Sequence, residues 1–118
     1  MPGKLTTHVL DIAAGKPAAA LRIELHRLDG NGQMTKLADI TTNPDGRTDT
    51  PLLTGDALTA GRYRLLFHVG DYFATQGSRD AKKFLDVIPI LFHIDNASAN
   101  YHVPLLVSPW AYSTYRGS

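Results

Sequence analysis

The chain of 118 residues contains no cysteine. Disulfides, thiolate nucleophiles and cysteine-ligated zinc are therefore excluded. It has almost no excess of charge: 12 Lys and Arg stand against 11 Asp and Glu, a formal net charge of +1. Such a balance gives no general pull toward nucleic acid. No apolar run approaches the roughly 20 residues that a bilayer-spanning helix needs. The first patterned segment begins at Leu5, leaving no space for a charged stretch, an apolar stretch and a cleavage site, and Arg116-Gly117-Ser118 is not the Ser-Lys-Leu peroxisomal address. A cytoplasmic protein of one domain, residues 1–118, without membrane or nucleic-acid partners, is the expectation. Also missing are His-Glu-x-x-His, a glycine-rich phosphate loop and the Gly-x-Ser-x-Gly elbow, and His8 and Asp11, which could contribute metal ligands, match no zinc spacing and fall on opposite faces of a strand. No metal and no cofactor are expected.

What is present is alternation. Leu21–Leu28 sets Leu21, Ile23 and Leu25 against Arg22, Glu24 and His26, the period of two of a half-buried strand. Arg62–Val69 repeats the pattern, as do Ile88–Asp95 and Tyr101–Val107, and Leu5–Ile12 supplies a first strand ended by Gly15-Lys16-Pro17. Asp29-Gly30-Asn31-Gly32 and Asn43-Pro44-Asp45-Gly46 are turns, and residues 96–100 read as a hairpin loop. Tyr72–Gly77 loses the alternation and is expected to form a helical turn, with a second from Ser78 to Leu85 capped by Ser78. Seven to eight short strands with one short helix predict an all-β, two-sheet sandwich. Pro89 and Pro104 predict edge positions or bulges for their strands. The second faces of the last two strands are partly apolar, so something other than water is expected to cover them.

Five histidines remain as candidates for chemistry. His26 and His68 share faces with arginine or glutamate and are expected to be solvated; His93 lies on the same face as Asp95, where a plain salt bridge is expected. His8 and His102 sit among apolar or small neighbours. Each is either a buried imidazole satisfied by a backbone carbonyl or part of a site. Arg47 follows the Pro44-Asp45-Gly46 turn and by itself claims no function. The aromatic stretch from Trp110 leads straight into Tyr115-Arg116-Gly117-Ser118 with no polar tail, which predicts a docked terminus.

Four segments taken together, Leu5-Thr6-Thr7-His8-Val9-Leu10-Asp11, Asn43-Pro44-Asp45-Gly46-Arg47, Tyr101-His102-Val103-Pro104-Leu105-Leu106-Val107-Ser108-Pro109 and Tyr115-Arg116-Gly117-Ser118, closely resemble the 5-hydroxyisourate hydrolase family, transthyretin-like enzymes of urate degradation. The resemblance runs from end to end of the chain. It implies a transthyretin-like sandwich of eight strands, assembled as a homotetramer, a dimer of dimers, with sites in a central channel. It implies a catalytic set of His8, Arg47, His102 and Ser118, with Tyr115, Arg116 and Gly117 joining His8, Arg47 and Ser118 in binding substrate. The implied reaction opens the ring of 5-hydroxyisourate by attack of water on a cyclic amide. The hormone-carrying transthyretins share the fold but hold lysine, glutamate and threonine where this chain has His8, Arg47 and His102, so a ligand carrier without chemistry is the alternative.

Overall fold

Alternating side chains build two sheets in the computed structural model, which describes residues 3–117. The first sheet joins β1 (Lys4–Asp11), β2 (Lys16–Pro17), β5 (Leu53–Thr54), β8 (Tyr101–Val107) and β9 (Tyr112–Thr114), in the order β2-β1-β8-β9 with β5 also pairing β1. The second has the order β4-β3-β6-β7, from β3 (Arg22–Leu28), β4 (Met34–Thr41), β6 (Gly61–His68) and β7 (Val87–Ile94). The two-sheet sandwich expected from the pattern is therefore present. Nine strands are formed among the described residues, two of them only two residues long.

The core lies where the inward sets of both sheets meet. Leu5 and Val9 of β1, Ile23 and Leu25 of β3, Leu65 and Phe67 of β6 and Leu105 of β8 are all fully buried. Burial of each such side chain contributes about 1.5–3 kcal/mol. Two polar groups also face inward on β1 and are satisfied there. Thr7 Oγ1 donates to the Val103 carbonyl at 2.7 Å, and Asp11 accepts from the Tyr72 hydroxyl at 2.8 Å and the Ala14 amide at 2.9 Å. Burial, reinforced by Asp11, pushes the Tyr72 hydroxyl well up from its ordinary pKa. That bond ties α1 (Val69–Thr75), the single α-helix among the described residues, to the end of β1.

The turn at residues 43–47 places the site. Asn43 Oδ1 accepts from the Asp45 amide at 2.9 Å and the Arg47 amide at 3.1 Å, and the Gly46 amide donates to the Asn43 carbonyl at 2.9 Å. Gly46 has φ 75°, and a Cβ there would stand 2.4 Å from the Val9 carbonyl oxygen. Only glycine lets this turn lie flat against β1.

Three expectations need correction. The helix begins at Val69, three residues before Tyr72, and no helix follows over residues 78–85. Gly77 at φ 77° ends α1, Ser78 Oγ accepts from the Asp80 amide at 3.2 Å in a local turn, and Lys82 at φ 63° breaks any helical run. Pro89 does lie on an edge strand, β7, but Pro104 lies in β8, between β1 and β9. The Pro104 carbonyl accepts from Thr114 Oγ1 at 2.7 Å, so its imino side faces β9, whose backbone pairing covers only Leu105 to Val107. The missing N–H therefore falls just beyond the ladder. Finally, His26 is only 8% exposed and the His68 side chain 14%, so neither is a solvated surface residue. Register places His26 between Lys36 and Arg64 of the neighbouring strands, and its ring nitrogen lies 3.6 Å from Glu24.

Candidate functional site

β1 and β8 run parallel in a register that pairs Thr6 with His102 and His8 with Pro104. Because Leu5, Thr7 and Val9 point into the core, Thr6, His8 and His102 are left on the outer face of the five-stranded sheet. Two irregular segments bring the remaining groups to that face. Arg47 bridges His8 in antiparallel fashion as the Val9 amide donates to the Gly46 carbonyl at 2.8 Å. Gly117 bridges His102, its amide donating to the His102 carbonyl at 2.7 Å. Residues scattered over more than a hundred positions thus meet along one strand pair.

Each imidazole has one nitrogen engaged. His8 Nε2 lies 2.8 Å from the Asp45 carbonyl oxygen, which can only accept, so Nε2 carries the hydrogen. His102 Nδ1 lies 2.9 Å from Thr6 Oγ1. Burial, with smaller contributions from the Arg47 and His8 charges, holds the His102 imidazole below the usual histidine pKa, so its neutral form prevails at neutral pH. Arg47 is exposed, and among the described residues no ion pair involves Arg47, His8 or His102. The face therefore combines a neutral, half-buried base with an uncompensated guanidinium, a pairing suited to activating water and stabilising an oxyanion.

The terminus is docked as expected. A Cβ on Gly117 would come within 2.8 Å of His102 Cδ2, so the absence of a side chain there lets the chain lie against the ring. Arg116 turns away from the histidines: its guanidinium lies 4.4 Å from the centroid of the Tyr101 ring and donates to the Asn100 carbonyl at 3.0 Å. Tyr115 is 60% exposed and, with Arg116 and Thr114, lines a 240 Å³ hollow shared with Leu91 and Phe92 of β7. Ser118 lies outside the described residues. Of the residues expected to form the site, His8, Arg47, His102 and Gly117 are brought together, whereas Tyr115 and Arg116 are turned toward the sheet edge.

A hollow of about 180 Å³ is lined by Thr6, Thr7 and Arg47 together with residues 48–51, with neither His8 nor His102 in its wall. A larger hollow of 590 Å³ at the β3–β4 turn includes Arg27, but that guanidinium is already committed to Tyr63, Thr59 and the Ala60 carbonyl. His93 is exposed and makes no ion pair with Asp95 among the described residues, contrary to expectation. Thr6 is the contact that motifs do not single out; the alternation places it on the His8 face, but only the register with β8 shows its partner.

Comparison with known proteins identifies the family and the fold. Residues 5–117 match the model of the HIUase/Transthyretin family. A 5-hydroxyisourate hydrolase of Mesorhizobium japonicum is 55% identical over 117 residues, covering 98% of this chain and 93% of the relative. The crystal structure of (S)-allantoin synthase superposes with a TM-score of 0.93 at 48% identity over 99% of this chain, which spans 44% of that longer protein. The structure of Klebsiella pneumoniae 5-hydroxyisourate hydrolase superposes with a TM-score of 0.80 at 35% identity, covering 98% of this chain and 99% of that one.

Proposed function

The chain belongs to the HIUase/Transthyretin family, and we propose that it is a hydrolase within it, converting 5-hydroxyisourate to 2-oxo-4-hydroxy-4-carboxy-5-ureidoimidazoline. The observation that carries this reading is the convergence of His8, Arg47 and His102 on one outer sheet face, with neither imidazole paired to a carboxylate among the described residues. His102 takes the proton of the attacking water, the new C–O bond forms at the cyclic amide carbon, the C–N bond breaks, and the departing nitrogen receives a proton. Arg47 supports the oxyanion through the paired donors of its guanidinium. His8, held through Nε2 by the Asp45 carbonyl, orients the substrate ring. Ser118 is assigned a substrate-binding and orienting role through its hydroxyl, and its neighbour Gly117 is clamped on His102.

The site is completed by copies of the same chain in a homotetramer, a dimer of dimers. Two features support this. β7 and β9 are both edge strands, and the hollow they share shows that they lie on the same side of the sandwich. Leu91, Tyr115, Tyr112 and Val87 stand exposed along that side at 63%, 60%, 43% and 40%. Unpaired edges flanked by apolar side chains invite a second copy.

Adding the protein to freshly generated 5-hydroxyisourate and following the ultraviolet decay tests the activity. Decay well above the buffer rate is expected. Decay at the buffer rate, with ligand bound, would favour a non-catalytic carrier of an aromatic or purine-like ligand.

A further inference from the structure

The ring of His102 is held on two sides, by Thr6 of β1 and by Gly117 beyond the end of β9. Thr6 Oγ1 lies 2.9 Å from Nδ1, across a register that sets the two residues side by side, and Gly117 packs against Cδ2. Among the described residues, His102 Nε2 has no hydrogen-bond partner in the protein. The two neutral tautomers are not equivalent for catalysis. If the hydrogen sits on Nε2, the nitrogen open to substrate cannot accept a proton; if it sits on Nδ1, it can. Which tautomer prevails is decided by the partner of Nδ1.

We infer that Thr6 is a positioning residue for the hydrolytic reaction, its hydroxyl accepting the Nδ1 hydrogen of His102 and so presenting Nε2 as the basic nitrogen. This inference rests on the proposed hydrolase reading for its catalytic consequence, but not for the hydrogen bond itself. Threonine suits the task because its β-branch restricts χ1 in a strand, which fixes the oxygen where the ring nitrogen needs it. Its neighbour Thr7, one residue on, is turned into the core and satisfied by the Val103 carbonyl, so it cannot substitute. The charged or titratable groups facing His102 are Arg47 from the 43–47 turn and His8 from β1; both are cationic when charged, and neither offers Nδ1 an acceptor.

The test compares Thr6→Val, which keeps the β-branch and removes the hydroxyl, with Thr6→Ser, which keeps the hydroxyl. Two readouts are needed: steady-state kinetics on 5-hydroxyisourate across pH, and nitrogen chemical shifts of the His102 ring by NMR. Thr6→Val is expected to lower kcat roughly 10- to 100-fold, a share of the hundred- to ten-thousand-fold typical of general-base assistance, with KM little changed. Its acidic limb should move to lower pH, because the imidazolium loses an acceptor, and the Nδ1–H signature should give way to Nε2–H. Thr6→Ser should recover most of kcat and the wild-type tautomer.

The inference is overturned if Thr6→Val retains wild-type kcat and tautomer. It is equally overturned if activity falls while the limb and the ring shifts stay in place, which marks a structural effect alone. Should the wild-type protein itself fail to open 5-hydroxyisourate, the hydrolase reading fails; the NMR comparison still decides whether Thr6 sets the His102 tautomer.

Discussion

The four-stranded sheet carries three histidines, His26, His68 and His93, and the five-stranded sheet two, His8 and His102, yet the two faces treat their polar groups in opposite ways. On the four-stranded sheet Glu24 accepts from His68 Nε2 at 2.7 Å and lies 3.6 Å from His26 Nε2 and 3.4 Å from Lys36 Nζ. Arg22 grips Asp39 through two bonds of 2.9 and 2.7 Å. The His68 bond, opposed by burial, holds the Glu24 carboxyl below its usual pKa, and Arg22 holds Asp39 far below the carboxylate range. Charge is met by countercharge within the sheet itself. On the five-stranded sheet His8 meets a carbonyl and His102 a hydroxyl instead, with Arg47 beside them. The first arrangement spends its electrostatics on holding strands together; the second leaves a guanidinium and a neutral imidazole available to a substrate.

The comparison breaks most visibly under substitution. His102→Ala should lower kcat on 5-hydroxyisourate by about 10²- to 10⁴-fold, the range of general-base assistance, while thermal unfolding changes little. Steady-state kinetics and a melting curve on the same preparation check both halves. Glu24→Gln should do the reverse. It removes the negative charge among Arg22, Lys36 and His68 and costs about 1–3 kcal/mol, the usual penalty for breaking a charge-assisted hydrogen bond in a largely buried site, with kcat unchanged; denaturant unfolding beside kinetics reads this out.

The smallest effect is the pH dependence of stability. Burial, with a smaller contribution from the Arg64 charge, pushes His26 below its ordinary pKa, and burial also lowers His102. For both groups the unfolded chain binds the proton more readily. The stability they confer is thus complete above pH 6.5, the ordinary histidine value, and is lost as pH falls from there through the lowered folded-state values. Each contributes at most about 1.4 kcal/mol per unit of depression. Denaturant unfolding at pH 7.5 and pH 5.5 should show the loss, and replacing His26 by Asn should flatten part of the curve without touching activity.

The alternation of β1, β3, β6, β7 and β8 was plain in the sequence because period two with one apolar face admits little else. The strands β2, β5 and β9, of two or three residues, carry too little pattern to be read, and they exist because β1 and β8 offer them partners. The burial of His26 is not legible for a different reason: burial on an outer face depends on which residues lie across the strands, here Lys36 beside a bulge and Arg64, and no local pattern reports that. The same holds for the site. His8 and His102 stood out by their neighbours, and Arg47 drew attention only through family resemblance. Their meeting depends on a parallel β1–β8 pairing between segments some 96 residues apart. The Thr6 contact follows from that register alone.

The most direct test of the division between the faces is to follow the five histidine rings by NMR while titrating an oxopurine that resembles the substrate but cannot be hydrolysed, such as xanthine. The account predicts that the His8 and His102 resonances move together and saturate at one ligand concentration while those of His26 and His68 stay in place. Movement of His26 and His68 with His8 and His102 unmoved would contradict it.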